Sequence, residues 1–311
     1  MAGYTPGEQL NASDIVKLNT NENPYPPSPM VFEAVRAALT GDCLRKYPQP
    51  LGDTFRKAAA RVLNVDPDGI LIGNGSDDIL TIITRAMVPE GGTIASPTPS
   101  YVLYKSLAEI QNAEYVTVPF TDSWTLPNPW PVKKANLTFL ANPNSPSGTM
   151  LPQGDLVRLA DAGPLVLDEA YGDFSEWNGL EFARKRENVI VTRSFSKYYA
   201  LAGIRFGFAV AKPALVRELV KVKDSYNCDV LSLAAATAAI EDQVGVGHLM
   251  PAGVVHASAA ERRQHLPAIR ETAGPPAIPL VALDGVQPLA LLHFADQVSE
   301  RLHQSLSCLR T

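Results

Sequence analysis

Cysteine is scarce in this sequence of 311 residues: Cys43, Cys228 and Cys308 are the three, and they lie far apart along the chain. Such spacing fits neither a set of metal ligands nor a disulfide framework, so we expect reduced thiols, no metal site and a cytoplasmic location. No apolar run reaches the roughly 18 residues that a membrane-spanning helix needs. The first residues, Met1–Asn11, also lack the basic start and apolar stretch of a signal peptide, so we expect no membrane association.

Basic charge is lacking as well, since the net charge is -5 and the sequence pI is about 5.6. Binding to nucleic acid requires a basic face that neutralises phosphates, so nucleic acid is excluded as the main partner. A small anionic ligand remains compatible with this charge, because it needs only a few local donors.

The last 68 residues, 244–311, lack residue types that are common before them. No lysine follows Lys223, and Phe294 is the single aromatic residue of this segment. All the histidines of the chain gather here instead, at His248, His256, His265, His293 and His303. No two of them have the i, i+4 spacing of metal ligands on a helix, so a metal site is not predicted. Helical spacing of apolar residues predicts two helices, Ala257–Arg270 and Pro288–Leu306.

Between residues 40 and 240, short apolar strands alternate with helical patterns. Helices are predicted at Asp53–Leu63, Asp77–Met87, Tyr101–Gln111, Leu151–Ala162, Leu201–Phe206 and Ala214–Val222. Strands are predicted at Ile70–Ile72, Gly92–Ala95, Glu114–Val118, Leu137–Ala141, Leu165–Leu167, Val189–Arg193 and Phe208–Ala211. This alternation predicts an α/β fold with a mostly parallel sheet covered on both faces, and ligands bind such sheets at the loops beyond the strand ends. The proline-rich stretch Asn21–Pro29 reads as an extended arm or a linker.

Two of those loops carry glycine- or proline-rich turns. Gly73–Asp78, with the sequence GNGSDD, joins a strand to a helix that Ser76 or Asp77 could cap. Its first-turn N–H groups could bind a phosphate, although an ordinary capped turn has the same pattern. Asn142–Gly148, with the sequence NPNSPSG, predicts a rigid turn that could present an amide to a ligand oxygen.

Aromatic and charged side chains follow other strands. Tyr101 and Tyr104 lie three residues apart, and either could stack on a flat ring or pack in the core. Asp168 comes directly after an apolar strand, where a carboxylate is either a helix cap or a charge that needs a cationic partner. The segment 193–207 places Lys197 among hydroxyls and an arginine suited to a phosphate dianion, so Lys197 is either a surface charge or a desolvated amine that forms a Schiff base.

Taken in order, these motifs resemble the fold-type-I aminotransferases that use pyridoxal 5'-phosphate. The arm LNTNENPYPPSP at Leu18–Pro29 and RKYPQPLG at Arg45–Gly52 look specifically like the histidinol-phosphate aminotransferase family, and the resemblance covers roughly residues 15–243. It implies a large cofactor-binding domain at 41–243, with 1–40 forming the arm and part of a small domain. It also implies ping-pong transamination of histidinol phosphate with 2-oxoglutarate or glutamate in histidine biosynthesis.

The resemblance also implies roles for matching residues. Lys197 would bind the cofactor covalently, Asp168 would pair with its ring nitrogen, and Tyr171 would bond its ring hydroxyl oxygen. Tyr101 would stack on the ring. The phosphate would be held by Gly75, Ser76, Asp77, Ser194, Ser196 and Arg205. In a homodimer with shared active sites, Tyr47 would reach the neighbouring subunit's phosphate, while Tyr25 and Asn23 would lie near the substrate.

The sequence departs from the family pattern in two places. Ser145 stands where the family usually has asparagine, so either Asn144 or Ser145 contacts the ring oxygen. After Gln243 we find no match to the strand and arginine that bind the substrate's acidic group, and 244–311 is an atypical segment in place of the usual small domain. Two alternatives therefore remain: a related decarboxylase of the threonine-phosphate type, or a cofactor-binding paralogue that has lost its substrate clamp.

Overall fold

The structure is a computed structural model that describes residues 20–243. Its helices are α1 (Pro29–Ala38), α2 (Gly41–Leu44), α3 (Asp53–Leu63), α4 (Ser76–Met87), α5 (Leu103–Ile110), α6 (Gln153–Ala162), α7 (Leu180–Lys185), α8 (Pro213–Val220) and α9 (Val230–Glu241). Its strands are β1 (Ile70–Gly73), β2 (Thr93–Thr98), β3 (Glu114–Pro119), β4 (Leu137–Ala141), β5 (Leu165–Asp168), β6 (Val189–Ser194) and β7 (Gly207–Val210).

The strands form one sheet in the order β1-β7-β6-β5-β4-β2-β3. The neighbours from β6 to β3 are parallel, and β7 runs antiparallel to both β6 and β1. The predicted α/β fold with a mostly parallel sheet is therefore confirmed. Because β4, β5 and β6 are parallel, their carboxyl ends meet at one edge, where a ligand site is expected.

Helices cover both faces of the sheet, as the apolar strand sequences require. One core lies under α4, α5 and α8, and the other lies under α3, α6, α7 and α9. Neighbouring residues of a strand contribute to opposite cores: Ile70 and Ile72 belong to one and Leu71 to the other. This alternation follows from the two-residue period of a strand.

Some elements differ from the sequence prediction. Only a 3-10 turn, Ala202–Ile204, forms within the predicted helix Leu201–Phe206, because Arg205 adopts a left-handed conformation with φ of 54°. Pro29 belongs to helix α1 rather than to the extended arm, since Ser28 caps that helix and proline is well tolerated in its first turn. Helix α9 was not predicted from periodicity, because it is apolar on nearly every side and packs against α1 and α3.

Two further sequence predictions lie outside the described residues: the helices Ala257–Arg270 and Pro288–Leu306. Within residues 20–243, none of the helices combines the length and the apolar character that crossing a bilayer would take.

Candidate active site

A cavity of about 320 Å³ lies at the edge of the sheet where β4, β5 and β6 end and α4 begins. It brings together most of the residues that the sequence singled out. Its walls are formed by Thr20, Glu22, Ser76, Asp77, Tyr101, Ala141, Pro143, Ser145, Asp168, Ala170, Tyr171, Ser194, Ser196, Lys197, Ala202 and Arg205.

Lys197 lies in the loop that follows β6, and its amine is the candidate nucleophile of the cavity. Its Nζ donates a hydrogen bond to the carbonyl oxygen of Thr20 at 2.8 Å and lies 5.9 Å from the ring centroid of Tyr171. Burial lowers the pKa of Lys197, and Arg205 also lowers it while Glu22 raises it. A lowered pKa increases the unprotonated fraction of the amine, which is the form that attacks a carbonyl carbon.

Asp168 is the last residue of β5, and its carboxylate is buried at the cavity wall. The Tyr104 hydroxyl donates to Oδ2 at 2.8 Å, and Thr192 Oγ1 donates to Oδ1 at 3.1 Å. Among residues 20–243 no lysine or arginine forms an ion pair with it, and burial raises its pKa. A cation in the cavity would offset that cost, because opposite charges in a poorly solvated site attract strongly.

The turn before α4 forms one end of the cavity and has the features of an anion site. Gly75 is the N-cap, at φ of 84°, and no side chain caps the helix, so the prediction that Ser76 or Asp77 is the cap is wrong. The first-turn N–H groups of α4 are thus not used by a capping side chain. A Cβ atom at Gly75 would lie 2.6 Å from Arg205 Nη2, so a larger residue would displace the guanidinium, and the φ of 84° also favours glycine.

Arg205 and two serines complete this end of the cavity. Arg205 Nη1 donates to Ser196 Oγ at 3.1 Å, and Ser194 Oγ accepts a hydrogen bond from the Ser196 N–H at 3.1 Å. The guanidinium lies 3.9 Å from Asp77 Oδ2, and both side chains are about half exposed. Arginine, hydroxyls and helix N–H groups around one space are a typical arrangement for a phosphate dianion.

The tyrosines of the site take different positions. Tyr101 lines the cavity and donates to Asp77 Oδ1 at 3.2 Å, whereas Tyr104 is fully buried behind it. Tyr171 lines the cavity from the loop after β5, and its hydroxyl accepts a hydrogen bond from Asn21 Nδ2 at 3.0 Å. Burial raises the pKa of Tyr171, so its hydroxyl stays protonated and can donate to a ligand oxygen.

The turn after β4 carries Asn144 and Ser145, the two residues predicted to contact a ring oxygen, and it presents them differently. Ser145 lines the cavity, while Asn144 does not. The Asn144 amide nitrogen is used by the Pro99 carbonyl oxygen at 3.3 Å and by Ser147 Oγ at 2.9 Å. Asn144 therefore holds the turn together, and Ser145 is the side chain presented to the cavity.

Three other predicted residues lie outside the cavity wall. Asn23 Nδ2 donates to the carbonyl oxygens of Lys197 and Tyr198, at 3.1 and 3.2 Å, so it ties the arm to the lysine loop. Tyr25 follows in the same arm, and its N–H bonds Asn23 Oδ1 at 3.0 Å. Tyr47 is 80% exposed and stacks on Tyr226 at 4.4 Å between ring centroids.

Sequence reasoning missed several groups that shape the site. Thr20 and Glu22 line the cavity. Both lie within the arm Leu18–Pro29, which carries the family resemblance, but the sequence analysis assigned neither of them a role. A buried ion cluster, in contrast, left no pattern in the sequence. Arg193 contacts Glu169 at 2.8 Å and also pairs with Asp173, which ties β6 to β5 and to the loop that carries Tyr171.

Comparisons with known proteins identify the family to which the chain is similar. The family model described as "Aminotransferase class I and II" matches residues 13–304. The histidinol-phosphate aminotransferase of Rhodopirellula baltica is 50% identical over 245 residues, which are 77% of this chain and 67% of that protein.

Solved structures show the same fold. A histidinol-phosphate aminotransferase from Sinorhizobium meliloti, in complex with pyridoxal-5'-phosphate, is 30% identical with a TM-score of 0.70 and covers 79% of this chain and 68% of its own. The L-threonine-O-3-phosphate decarboxylase of Porphyromonas gingivalis shares the fold, with 24% identity, a TM-score of 0.63 and coverage of 71% of this chain and 70% of its own. Since the family model matches nearly the whole sequence and a relative shares half of the aligned residues, the chain belongs to the aminotransferase class I and II family.

Proposed function

We propose that this protein is a pyridoxal-phosphate-dependent aminotransferase that exchanges an amino group between histidinol phosphate and 2-oxoglutarate or glutamate. The observation that carries the proposal is one cavity in which Lys197, Asp168 and a phosphate-type end with Arg205 face the same space. The identity of 50% with the Rhodopirellula baltica enzyme supports the substrate, since that relative is a histidinol-phosphate aminotransferase.

The residues present fit the cofactor at each of its functional groups. Asp168 is a buried carboxylate without an ion-pair partner among residues 20–243, which suits a protonated ring nitrogen. The first turn of α4, Ser194, Ser196 and Arg205 would hold the phosphate, and Tyr101 would lie against the ring. When bound, pyridoxal phosphate supplies an aldehyde for the substrate amine and an electron sink that no side chain provides.

The protein's own groups hold and move the protons. Lys197 Nζ has a pKa lowered by burial, so it can take a proton from the substrate carbon that bears the amine and release it again. Asp168 orients the ring nitrogen and stabilises positive charge on it. The Tyr171 hydroxyl, held by Asn21, would donate a hydrogen bond to the ring oxygen.

Ser145 is our choice for the second contact with that ring oxygen. The proposal follows from the cavity wall, which includes Ser145 and not Asn144. Asn144 is 2% exposed, and its amide is bonded to Ser147 in its own turn and to the carbonyl oxygen of Pro99, so reaching the cavity would break those bonds. Asn144 then acts by fixing the loop in which Ser145 sits.

Thr20 and Glu22 of the arm form part of the cavity wall. Thr20 accepts from Lys197 Nζ, and Asn21 and Asn23 bond Tyr171 and the lysine loop. Tyr25 follows these residues in the arm, and we propose that it contacts substrate. Asn23 is proposed to act through the position of the arm.

We also propose a homodimer with shared active sites. Tyr47 lies outside its own cavity and is 80% exposed, so its predicted contact with a cofactor phosphate requires another subunit. Met30 and Phe32 on α1, Leu44 on α2 and Leu39 between the two helices are exposed apolar side chains, which the proposed subunit interface would cover.

A half-reaction tests the proposed function. The protein is purified with pyridoxal phosphate, the visible absorption band of the lysine-bound cofactor is recorded, and histidinol phosphate or glutamate is added separately. We expect each amine to remove the band and to leave pyridoxamine phosphate. Lys197→Arg keeps the positive charge but cannot bond the cofactor covalently, so it should lack this band. Formation of pyridoxamine phosphate, measured by chromatography, should be slower in this variant by about 10²–10⁴-fold or more.

Other outcomes of the same experiment separate the alternatives. Release of carbon dioxide from threonine phosphate would indicate a decarboxylase. A band that ignores every amine would indicate a cofactor-binding protein without a substrate clamp. Either result would contradict the proposed transamination.

A further inference from the structure

The hydroxyl of Tyr104 lies directly behind the cavity wall and takes no part in the function proposed above. The side chain is fully buried, at 0% exposure, and it does not line the cavity. Its hydroxyl donates a hydrogen bond of 2.8 Å to Asp168 Oδ2. Phenylalanine would fill the same space without a buried hydroxyl to satisfy, so packing alone does not account for a tyrosine here.

Two aromatic neighbours fix where this hydroxyl points. The Tyr104 ring stacks on Phe139 of β4, with centroids 4.7 Å apart and planes at 10°. Its other contact is edge-on with Tyr101, at 5.7 Å and 90°. Since β4 is the neighbour of β5, the stack holds the hydroxyl against the end of the strand that carries Asp168.

The Asp168 carboxylate accepts hydrogen bonds from three neutral donors. Tyr104 occupies Oδ2, while Thr192 Oγ1 and the Ala170 N–H occupy Oδ1 at 3.1 and 3.2 Å. Hydrogen bonds to a carboxylate favour its charged form, and they act against burial, which favours the neutral form. The three donors also fix the plane of the carboxylate.

The charges of Asp168 and of the titratable groups around it shift one another's pKa values, and these shifts determine which groups carry a proton. Asp77 on α4 raises the pKa of Asp168, and the charge of Asp168 raises the pKa of Tyr171. Lys197 faces the same cavity. Burial and the charge of Asp168 hold the pKa of Tyr104 well above its usual value, so the phenol stays a donor at neutral pH.

We propose that Tyr104 is a positioning residue whose hydroxyl holds Asp168 in place and keeps its carboxylate ionised for a cationic ring nitrogen in the cavity. The identity of that cation rests on the proposed function, whereas the effect of Tyr104 on the carboxylate does not. Thr192 has the same role at the other oxygen.

The first test measures the carboxylate itself in the cofactor-free full chain. The aspartate carboxyl carbons are labelled with ¹³C, and the resonance that disappears in Asp168→Asn is followed as a function of pH. In Tyr104→Phe, which removes only the hydroxyl, we expect the pKa of Asp168 to rise by about one unit. Thr192→Val should move it in the same direction and serves as the second variant if Tyr104→Phe folds poorly.

Tyr115→Phe is the matched control. Tyr115 lies on β3, and its hydroxyl bonds Ser96 rather than Asp168. Its removal deletes a hydrogen-bonded phenol hydroxyl from the same side of the sheet, and it should leave the pKa of Asp168 unchanged. A shift of equal size in this control would mean that any loss of packing there perturbs the carboxylate.

The second test uses pyridoxamine 5'-phosphate, which cannot bond covalently to Lys197. Its dissociation constant is measured across pH for the parent protein and for Tyr104→Phe. In the acidic range, where Asp168 is partly protonated, we expect binding to be up to about ten-fold weaker in the variant. At higher pH, where the carboxylate is ionised in both proteins, the two dissociation constants should converge. The acid limb of the profile should also move upward by the same amount as the pKa of Asp168, whereas a merely structural defect would weaken binding evenly.

The outcomes distinguish this inference from the proposed function. An unchanged pKa of Asp168 in both Tyr104→Phe and Thr192→Val would overturn the inference, whether or not the ligand binds. If the parent protein fails to bind pyridoxamine phosphate while the pKa shifts as expected, the proposed cofactor is wrong and the positioning of Asp168 by Tyr104 stands.

Discussion

At the scale of the residue, burial of the Asp168 carboxylate is expected to lower the stability of the cofactor-free protein. Its carboxylate is 4% exposed, and within residues 20–243 it has hydrogen-bond donors and no ion-pair partner. Burial raises its pKa, so the folded protein holds the Asp168 proton more tightly than the unfolded chain does. The stabilisation linked to this proton is complete below the unfolded-state pKa and is lost as pH rises through the folded-state pKa.

Asp168→Asn is therefore expected to stabilise the protein in the absence of cofactor. Near pH 7.5 its melting temperature should be about 2–4 °C higher, the range for roughly 1 kcal/mol in a chain of this size. The difference should vanish at low pH, where the parent carboxyl is protonated as well. Thermal melts between pH 4 and 8 check this, and a difference that is the same at every pH would contradict it.

Exposed Asp161, which pairs with Arg186, provides the control for that comparison. Asp161→Asn should change the melting temperature by less than about 1 °C, because surface ion pairs contribute little. Asp168→Asn should also lose affinity for pyridoxal phosphate, while Asp161→Asn should retain it. Comparing the two variants thus distinguishes the general effect of removing a negative charge from the specific effect of removing the buried charge of Asp168.

At the scale of the element, the phosphate-type end of the site depends on the close approach of β7 to the turn before α4. A Cβ atom at Gly207 would lie 2.6 Å from the Ser76 nitrogen, 2.7 Å from the Gly75 carbonyl carbon and 2.8 Å from the Arg193 oxygen. All three are backbone atoms, so none can move aside as a flexible side chain would. Glycine at this position lets the sheet hold the first turn of α4.

Gly207→Ala should displace that turn and weaken binding of pyridoxamine phosphate at least about ten-fold, which corresponds to roughly 1.4 kcal/mol. Gly154→Ala is the control, because a Cβ there meets nothing within 4 Å and the residue lies in α6. Calorimetric titration of both variants measures the effect. Equal affinities in the two would show that the close approach of β7 does not matter.

The ion cluster of β5 and β6 acts at the same scale. Arg193 is 4% exposed, and Glu169, which it contacts, is 1% exposed and also accepts the Gly179 N–H. Removing one partner of a buried pair leaves the other charge uncompensated, which typically costs about 3–5 kcal/mol.

Arg193→Ala should accordingly lower the free energy of unfolding by about 3–5 kcal/mol. Arg186→Ala, which breaks a more exposed pair with Asp161, should cost less than about 1 kcal/mol. Urea denaturation followed by circular dichroism measures both. Similar losses in the two variants would mean that the buried cluster adds no particular stability.

At the scale of the whole molecule, the proposed homodimer makes a prediction that a single chain cannot satisfy. Lys197 lines its own cavity, whereas Tyr47 is exposed outside it and is proposed to serve the partner's cavity. In a symmetric dimer of this kind, each active site would combine Lys197 of one subunit with Tyr47 of the other.

Tyr47→Ala and Lys197→Ala should each be nearly inactive when pure, and mixing them should restore activity. With random exchange of subunits, half of the dimers are hybrids and each hybrid has one intact site, so activity should reach about a quarter of the parent value. Transamination assays after unfolding and refolding equal amounts together check this. No recovery, with hybrids shown by mass spectrometry, would contradict the shared site.

The sequence by itself determined the framework of this protein. Apolar runs and turn residues predicted the seven strands described here and the helices α3, α4, α5, α6 and α8, but not α1, α2, α7 or α9. Polar residues that directly follow parallel strands gather at the edge where those strands end. From the residues alone, Lys197 and Asp168 each kept two interpretations. The resemblance to a known family is what implied a shared site for Lys197, Asp168 and Tyr171 before any coordinates. The sequence could not decide between Asn144 and Ser145, because the direction of each side chain depends on the folded conformation of the turn.

Only the tertiary structure decided contacts between segments that are distant in sequence. The bond from Tyr104 to Asp168 joins residues 64 positions apart, and the bond from Lys197 to Thr20 joins residues 177 apart. Helix α9 was not predicted because it is apolar on nearly every side, so its sequence shows no polar face and no helical periodicity. Local propensity depends on near neighbours, whereas burial, pKa and the partner of a buried polar group depend on which surfaces the folded chain brings together.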